Sequence, residues 1–303
     1  MLVHPMQLYR TIRASTPAWH LVNLPSRISY LSSRSTLGSH AEDVARDLAA
    51  TGIAITHVRE LFPPEVYRAL RSYTDERLAA PAVRTELDRG DRTAEVQSGR
   101  KHSFLVDLWG GEHHLDPEHP FHRFSLSQPV LGIVSAYLGM LPKFREFFLQ
   151  VTVPIPSATA AYSSQRWHAD PDDRRMVKVF LYLSDVDETA GPFTYIRYSH
   201  GRGKWRNVFP YGPKRHTRHP DPAFIDAHIP SEDRVIAAGP AGTLIFCDTS
   251  GIHRGGYATG RPRVMYTSVY TTRASALPTR YPVTSATVDV RSLPRVIRYA
   301  IRA

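Results

Sequence analysis

Two segments of the chain carry side chains able to hold a metal ion together. In "SSQRWHADPDD", His168 and Asp170 stand two residues apart in a stretch that reads as strand. Strand side chains alternate between faces, so positions i and i+2 can aim an imidazole nitrogen and a carboxylate oxygen at one point, with Ala169 turned away. A third donor must come from another strand or the loop after it. His253 fits, 85 positions beyond His168 and just past the apolar run "GTLIFCD". Two neutral imidazoles and one carboxylate on one face of an octahedron leave three positions open, as Fe(II) sites that bind a chelating co-substrate and dioxygen require. An isolated H-x-D recurs by chance in many proteins, so its meaning depends on the surrounding chain.

That surrounding chain has the elements to position the three side chains. From about residue 143, short β-type runs are separated by Gly and Pro turns: "REFFLQVTVPI", "MVKVFLYLSDV", "GPFTYIRYS", "GTLIFCDTS" and "RVMYTSVYTT". This punctuation predicts an antiparallel sandwich, barrel or jelly roll. In the second run, Val177, Val179, Leu181 and Leu183 alternate with Lys178, Phe180, Tyr182 and Ser184, giving one aliphatic face and one polar and aromatic face. Lys178 can therefore meet a carboxylate of a co-substrate or substrate, or extend to solvent at a sheet edge.

Ahead of these runs, Val44, Leu48 and Ala49 recur at helical spacing before a stop at Gly52, and "IAITHV" reads as a strand. Pro63 and Pro64 open a second helix, and "PVLGIVSAYLGM" forms a third, apolar one. Residues 80–120 read as polar and loop-rich. Residues 1–40 read as an N-terminal arm, interrupted by Pro5 and Pro17, and a basic, Ser-rich segment of this kind is also compatible with organellar import. The expected organisation is that arm followed by one domain over 41–303, with helices packed outside a β core of about 143–275.

The 303 residues suffice for a sizeable buried core, and 42% of them are apolar. No uninterrupted apolar run is long enough to span a membrane. The single cysteine, Cys247, cannot form an internal disulfide, which suits a reducing, cytoplasmic setting and a buried apolar role. A net charge of +10 is concentrated in three acid-free blocks: four arginines within Met1–His40, seven Lys/Arg within Arg197–Arg218, and four arginines in the last thirteen residues. No zinc-finger spacing, phosphate loop or ribonucleoprotein signature accompanies them, so nucleic acid is not expected as a partner. The histidine-rich tract "EHHLDPEHPFHR", with His113, His114, His119 and His122, lacks cysteine and regular spacing and reads as a polar surface loop. "PKRHTRHPDP" reads the same way.

"WHAD", "VKVFLYLSDVDETAGPFTYIRYSH", "GTLIFCDTSGIHRGG" and "GRPRVMYTSVY", in this order and separation, resemble the phytanoyl-CoA dioxygenase family of Fe(II)/2-oxoglutarate-dependent oxygenases. The resemblance covers about Lys143 to Thr272, with a fainter likeness in "TGIAITHVRELFPPE". It implies an α+β protein with a mainly β core, a double-stranded β-helix of the jelly-roll, cupin-like kind. His168, Asp170 and His253 would be the iron ligands. Arg263, ten residues past the second histidine, would bind the distal carboxylate of 2-oxoglutarate, for which a guanidinium is a planar, permanently charged match. Arg261, two residues earlier, is its rival. Gln150 sits where the family often has a polar residue near the co-substrate.

The implied reaction is hydroxylation, or a related oxidation, of an unactivated C–H bond of a small-molecule or CoA- or carrier-linked substrate. It consumes O2 and releases succinate and CO2. Related halogenases replace the carboxylate ligand with a small residue, so Asp170 favours hydroxylation. The chain departs from the family in placing Arg197-Tyr198, rather than Pro-Gly, before Ser199-His200; His200 is expected to be structural. Two other readings compete: a jelly-roll metal enzyme that does not use 2-oxoglutarate, and a basic binding module with a vestigial site.

Overall fold

A computed structural model describes residues 15–33, 36–90, 92–97, 103–110, 113–155, 163–209, 219–275, 277, 281–284 and 288–302. Its centre is a six-stranded antiparallel sheet in the order β1-β7-β4-β9-β3-β2, built from β1 (Ile53–His57), β2 (Leu105–Asp107), β3 (Lys143–Thr152), β4 (Met176–Tyr182), β7 (Thr243–Cys247) and β9 (Arg263–Thr271). A smaller sheet, in the order β6-β5-β8, comprises β5 (Phe193–Ile196), β6 (Arg234–Ala237) and β8 (His253–Arg254). The large sheet thus recruits β1 and β2 from well before residue 143. Both are placed by register, with Ile53 opposite Cys247 and Asp107 opposite Gln150.

Strand alternation decides what each face of the large sheet does. Val177, Val179, Leu181, Leu244, Phe246 and Tyr266 turn one way, into an apolar core shared with the helices. Phe180, Tyr182, Ile245 and Cys247 turn the other way and pack against Phe193, Tyr195 and Ala237 of the small sheet. Cys247 is buried and free, as its apolar run implies.

The helices on the outer face include α1 (Thr16–Ser33), α2 (Ser39–Thr51), α3 (Pro64–Ala79), α4 (Gln128–Leu138) and α5 (Arg295–Ile301). α2 ends at Gly52, whose φ of 87° is left-handed; a Cβ there would collide with the Tyr195 hydroxyl, so both backbone and space demand glycine. α1 forms despite Pro17, which sits at the start of the helix where its missing N–H costs nothing, and despite Pro25 within it. The loop-rich segment 80–120 also contains short helices at Pro81–Leu87 and Thr93–Gln97 besides β2. Tyr198 occupies the left-handed region with φ 61°, at the point where the family commonly has glycine; its N–H donates to Thr51 and its carbonyl accepts from Trp205. No described helix is long and apolar enough to cross a membrane.

Part of the histidine tract is not surface loop: His114 and Glu118 are exposed, but the C-terminal end turns inward. His119 precedes a short helix at Pro120–Ser125, and His122 is buried among Trp109, Phe144 and Phe147. Among the described residues the tract forms no three-donor metal cluster. Burial disfavours the imidazolium and drives His122 down to about 3. Because an unfolded histidine titrates near 6.5, the unfolded chain binds one more proton than the native protein between that pH and about 3. Stability from His122 is therefore complete above pH 6.5 and is lost as pH falls below it, by about 1.4 kcal/mol per pH unit. Urea unfolding at a series of pH values from neutral to mildly acidic should show this slope, and His122→Phe should flatten it by about that amount. An unchanged slope would remove His122 from the account.

Candidate metal centre

His168 and His253 meet through the backbone. They form an isolated antiparallel bridge in which each N–H donates to the other's carbonyl, at 2.9 and 2.8 Å, and the Asp170 N–H donates to Thr249 at 2.8 Å. The bridge joins the turn before β4 to β8 and brings the two imidazoles to a centroid separation of 4.2 Å. The H-x-D segment is thus held at the edge of the small sheet by a few ladder bonds rather than lying within a continuous strand.

Ligating atoms of His168, Asp170 and His253 all lie within 4.8 Å of one another, the one such trio among the described residues. His168 Nε2 is 3.8 Å from Asp170 Oδ1, and His253 Nε2 is 3.7 Å from Asp170 Oδ2. These spacings are slightly wider than the ~3 Å between neighbouring donors around an ion with bonds of about 2.1 Å, so a small inward movement completes the set. The other ring nitrogens are occupied: His168 Nδ1 faces the Arg166 carbonyl at 2.8 Å and His253 Nδ1 faces the Gly251 carbonyl at 3.0 Å. Carbonyls only accept, so each Nδ1 carries the proton and each Nε2 keeps its lone pair for a metal.

Charge agrees with geometry. Burial lowers both imidazoles, His253 to about 3, and keeps them neutral as ligands must be. Burial also works against the Asp170 carboxylate, but the Lys178 ammonium outweighs it and holds the carboxyl below its ordinary range. Lys178 Nζ lies 2.7 Å from Asp170 Oδ2. Lys178 thus meets a carboxylate, and in this structure the carboxylate is that of Asp170.

Arg263 and Gln150 are placed by strand register. Thr152 lies opposite Arg263, Gln150 opposite Met265, and Val269 opposite Lys178, and residues paired across strands share a face. Gln150, Lys178 and Arg263 therefore look from the large sheet toward the small one that carries His253. Arg263 is 5% exposed, donates to the Gly191 carbonyl and to Thr152 Oγ1, and leaves its Nε–H without an acceptor. No described carboxylate pairs with it, so its buried charge has no described counter-charge. Arg261 instead sits at the surface in an ion pair with Asp187 at 3.2 Å. Trp167 is buried in an apolar cluster with Ile196, Ile225 and Ile252, a packing role. His200 is buried apart from the three donors. A groove of about 1170 Å³ among α1, α2, α4 and α5 contains none of these side chains.

One neighbour of the site escaped the sequence reading. His219 stands 6.2 Å from the His168 ring, with Nδ1 on the Trp167 carbonyl at 3.0 Å. It follows residues 210–218, which hold most of "PKRHTRHPDP" and lie outside the described residues. No local pattern marks a loop histidine that reaches a site assembled from distant strands.

A profile of phytanoyl-CoA dioxygenase matches residues 55–265, well over half of the chain. The chain belongs to the phytanoyl-CoA dioxygenase family. It is thus an enzyme of the Fe(II)/2-oxoglutarate-dependent oxygenase class, as its four motifs imply. No curated protein matches the sequence.

The fold of this phytanoyl-CoA dioxygenase family member is that of EctD. EctD from S. alaskensis, solved with 2-oxoglutarate and 5-hydroxyectoine, is 19% identical with a TM-score of 0.51, covering 86% of each chain. The non-heme alpha ketoglutarate dependent epimerase SnoN from nogalamycin biosynthesis is 15% identical with a TM-score of 0.49, covering 77% of this chain and 84% of its own. HygX from Streptomyces hygroscopicus, solved with nickel and 2-oxoglutarate, is 16% identical with a TM-score of 0.44, covering 78% of this chain and 87% of its own.

Proposed function

We propose that this chain hydroxylates, or otherwise oxidises, an unactivated C–H bond of a small-molecule or acyl-thioester substrate, using Fe(II), 2-oxoglutarate and O2. The observation that carries the reading is the convergence of His168, Asp170 and His253 with both Nε2 lone pairs directed inward. When bound there, iron with its co-substrate supplies the oxidation, with succinate and CO2 as co-products.

The chain's own side chains do the rest. His168 Nε2, one Asp170 oxygen and His253 Nε2 would hold the metal. Lys178 fixes the remaining Asp170 oxygen, which keeps the carboxylate oriented and its charge partly balanced. Arg263 receives the distal carboxylate of 2-oxoglutarate through the N–H that lacks an acceptor, with Gln150 on the same face as a polar neighbour. Phe180 and Phe193, with ring centroids 4.6 Å apart and Phe193 5.7 Å from His253, form an apolar wall that excludes water from the reacting carbon. The basic segments suit an anionic substrate, such as a CoA thioester.

The test is succinate release from 2-oxoglutarate with Fe(II) and O2 across a library of acyl thioesters and small metabolites. Stimulation above the substrate-free rate by at least one member supports the proposal, and its absence for metal-loaded protein across all classes contradicts it. Lys178→Met should raise the Fe(II) concentration for half-maximal succinate release by about 10–100-fold, the usual effect of removing a group that orients a metal ligand. An unchanged iron requirement would show that Asp170 needs no such support.

A further inference from the structure

α1 is amphipathic in the reverse of the usual sense. Its inward residues, Trp19, Asn23 and Ser26, are buried and attach the helix to the body by polar contacts. Trp19 Nε1 donates to Asp173 at 2.9 Å, Asn23 bonds Thr272 and Ala274 at 3.1 Å each, and Ser26 pairs with the Tyr299 hydroxyl. Its outward residues include Leu21, Leu24, Ile28 and Leu31, exposed by 72%, 49%, 59% and 74%. At 100° per residue these four fall within an arc of roughly 80°, opposite the buried face. A soluble helix normally buries such a stripe, and no described residue covers this one.

The surroundings are basic. No acidic residue occurs between Met1 and His40, and none within the last thirteen residues, which contribute α5. Arg174 reaches Thr16 at 2.7 Å at the start of α1, Arg27 and Arg175 lie over the Trp19 ring, and Arg295 reaches Ser29 and Ser32 near its end. A second copy of the chain is a poor match for this face. A two-fold interface sets identical patches against each other and would bring the Arg27, Arg174 and Arg295 side chains of the two copies together. A surface with apolar depth and negative headgroups complements both features.

We infer that α1 is a membrane-surface element that lays its Leu21-Leu24-Ile28-Leu31 stripe into the interfacial region of an anionic phospholipid bilayer, with Arg27, Arg174 and Arg295 at headgroup level. The association is peripheral, and it places the oxygenase beside a store of lipid-like or acyl-bearing molecules.

Flotation of the full-length protein with phosphatidylcholine vesicles, with and without a third of phosphatidylserine, tests this. At least about ten-fold more protein should float with the anionic vesicles, and the excess should vanish as salt rises toward 1 M. The variant carrying Leu21→Ser, Leu24→Ser, Ile28→Ser and Leu31→Ser should lose at least ten-fold of the bound protein while keeping its circular dichroism spectrum. Since those changes bear on α1 itself, Arg27→Gln with Arg295→Gln provides a second arm, expected to reduce recovery with anionic vesicles alone. Equal recovery from both vesicle types, or no recovery from either, overturns the inference. So does sedimentation showing a concentration-dependent dimer that the serine variant abolishes, which would assign the stripe to a second copy.

Discussion

Replacing Asp170 or His253 with alanine is expected to reduce succinate release to the level of iron-free protein, a loss of at least roughly a thousand-fold. Each residue supplies one of the three donor atoms gathered within 4.8 Å, the one such trio among the described residues. The two variants should differ in stability. His253→Ala removes a neutral buried ring, whereas Asp170→Ala strands the Lys178 ammonium without its carboxylate, and breaking such a pair typically costs about 3–5 kcal/mol. Asp170→Ala combined with Lys178→Met should recover much of that stability while remaining inactive, separating loss of metal from loss of fold. Unchanged product yield from Asp170→Ala would contradict the ligand assignment.

The second large effect concerns Arg263. Arg263→Ala should raise the KM for 2-oxoglutarate by roughly 30- to 1000-fold, corresponding to about 2–4 kcal/mol for a carboxylate left without its buried cation. Turnover at saturating co-substrate should fall much less, because the guanidinium binds the end of 2-oxoglutarate remote from the metal. Arg261→Ala serves as the control. Its pair with Asp187 is exposed on both sides and screened by water, so the KM should stay within about two-fold of the parent. A reversal of these outcomes would move the co-substrate subsite to Arg261.

The parts of this molecule that were legible in sequence are those whose signal is local. The alternation of Val177, Val179 and Leu181 with Lys178, Phe180 and Tyr182 set the two faces of β4, and Gly52 ended α2, because strand period and left-handed φ are properties of short segments. The H-x-D spacing flagged a candidate pair only together with the β runs around it, and His253 needed the position of the strand before it. What stayed hidden depends on partners far along the chain. Lys178 stood open between a co-substrate or substrate carboxylate and solvent, and nothing local pointed to Asp170. His122 looked polar because nothing nearby reveals that Trp109 and Phe147 close over it. α1 was obscured because hydrophobic periodicity assumes that apolar residues face inward, and here Asn23 and Ser26 do so.

The central claim is that one iron ion is held by three side chains from two distant segments, with the arginine of β9 on the co-substrate. Anaerobic crystals grown with Fe(II) and 2-oxoglutarate test it most directly. The account predicts a single metal about 2.0–2.2 Å from His168 Nε2, an Asp170 oxygen and His253 Nε2, with the distal carboxylate of 2-oxoglutarate on Arg263. Metal bound elsewhere, or co-substrate engaged by other residues while Arg263 keeps its Nε–H without an acceptor, would contradict it.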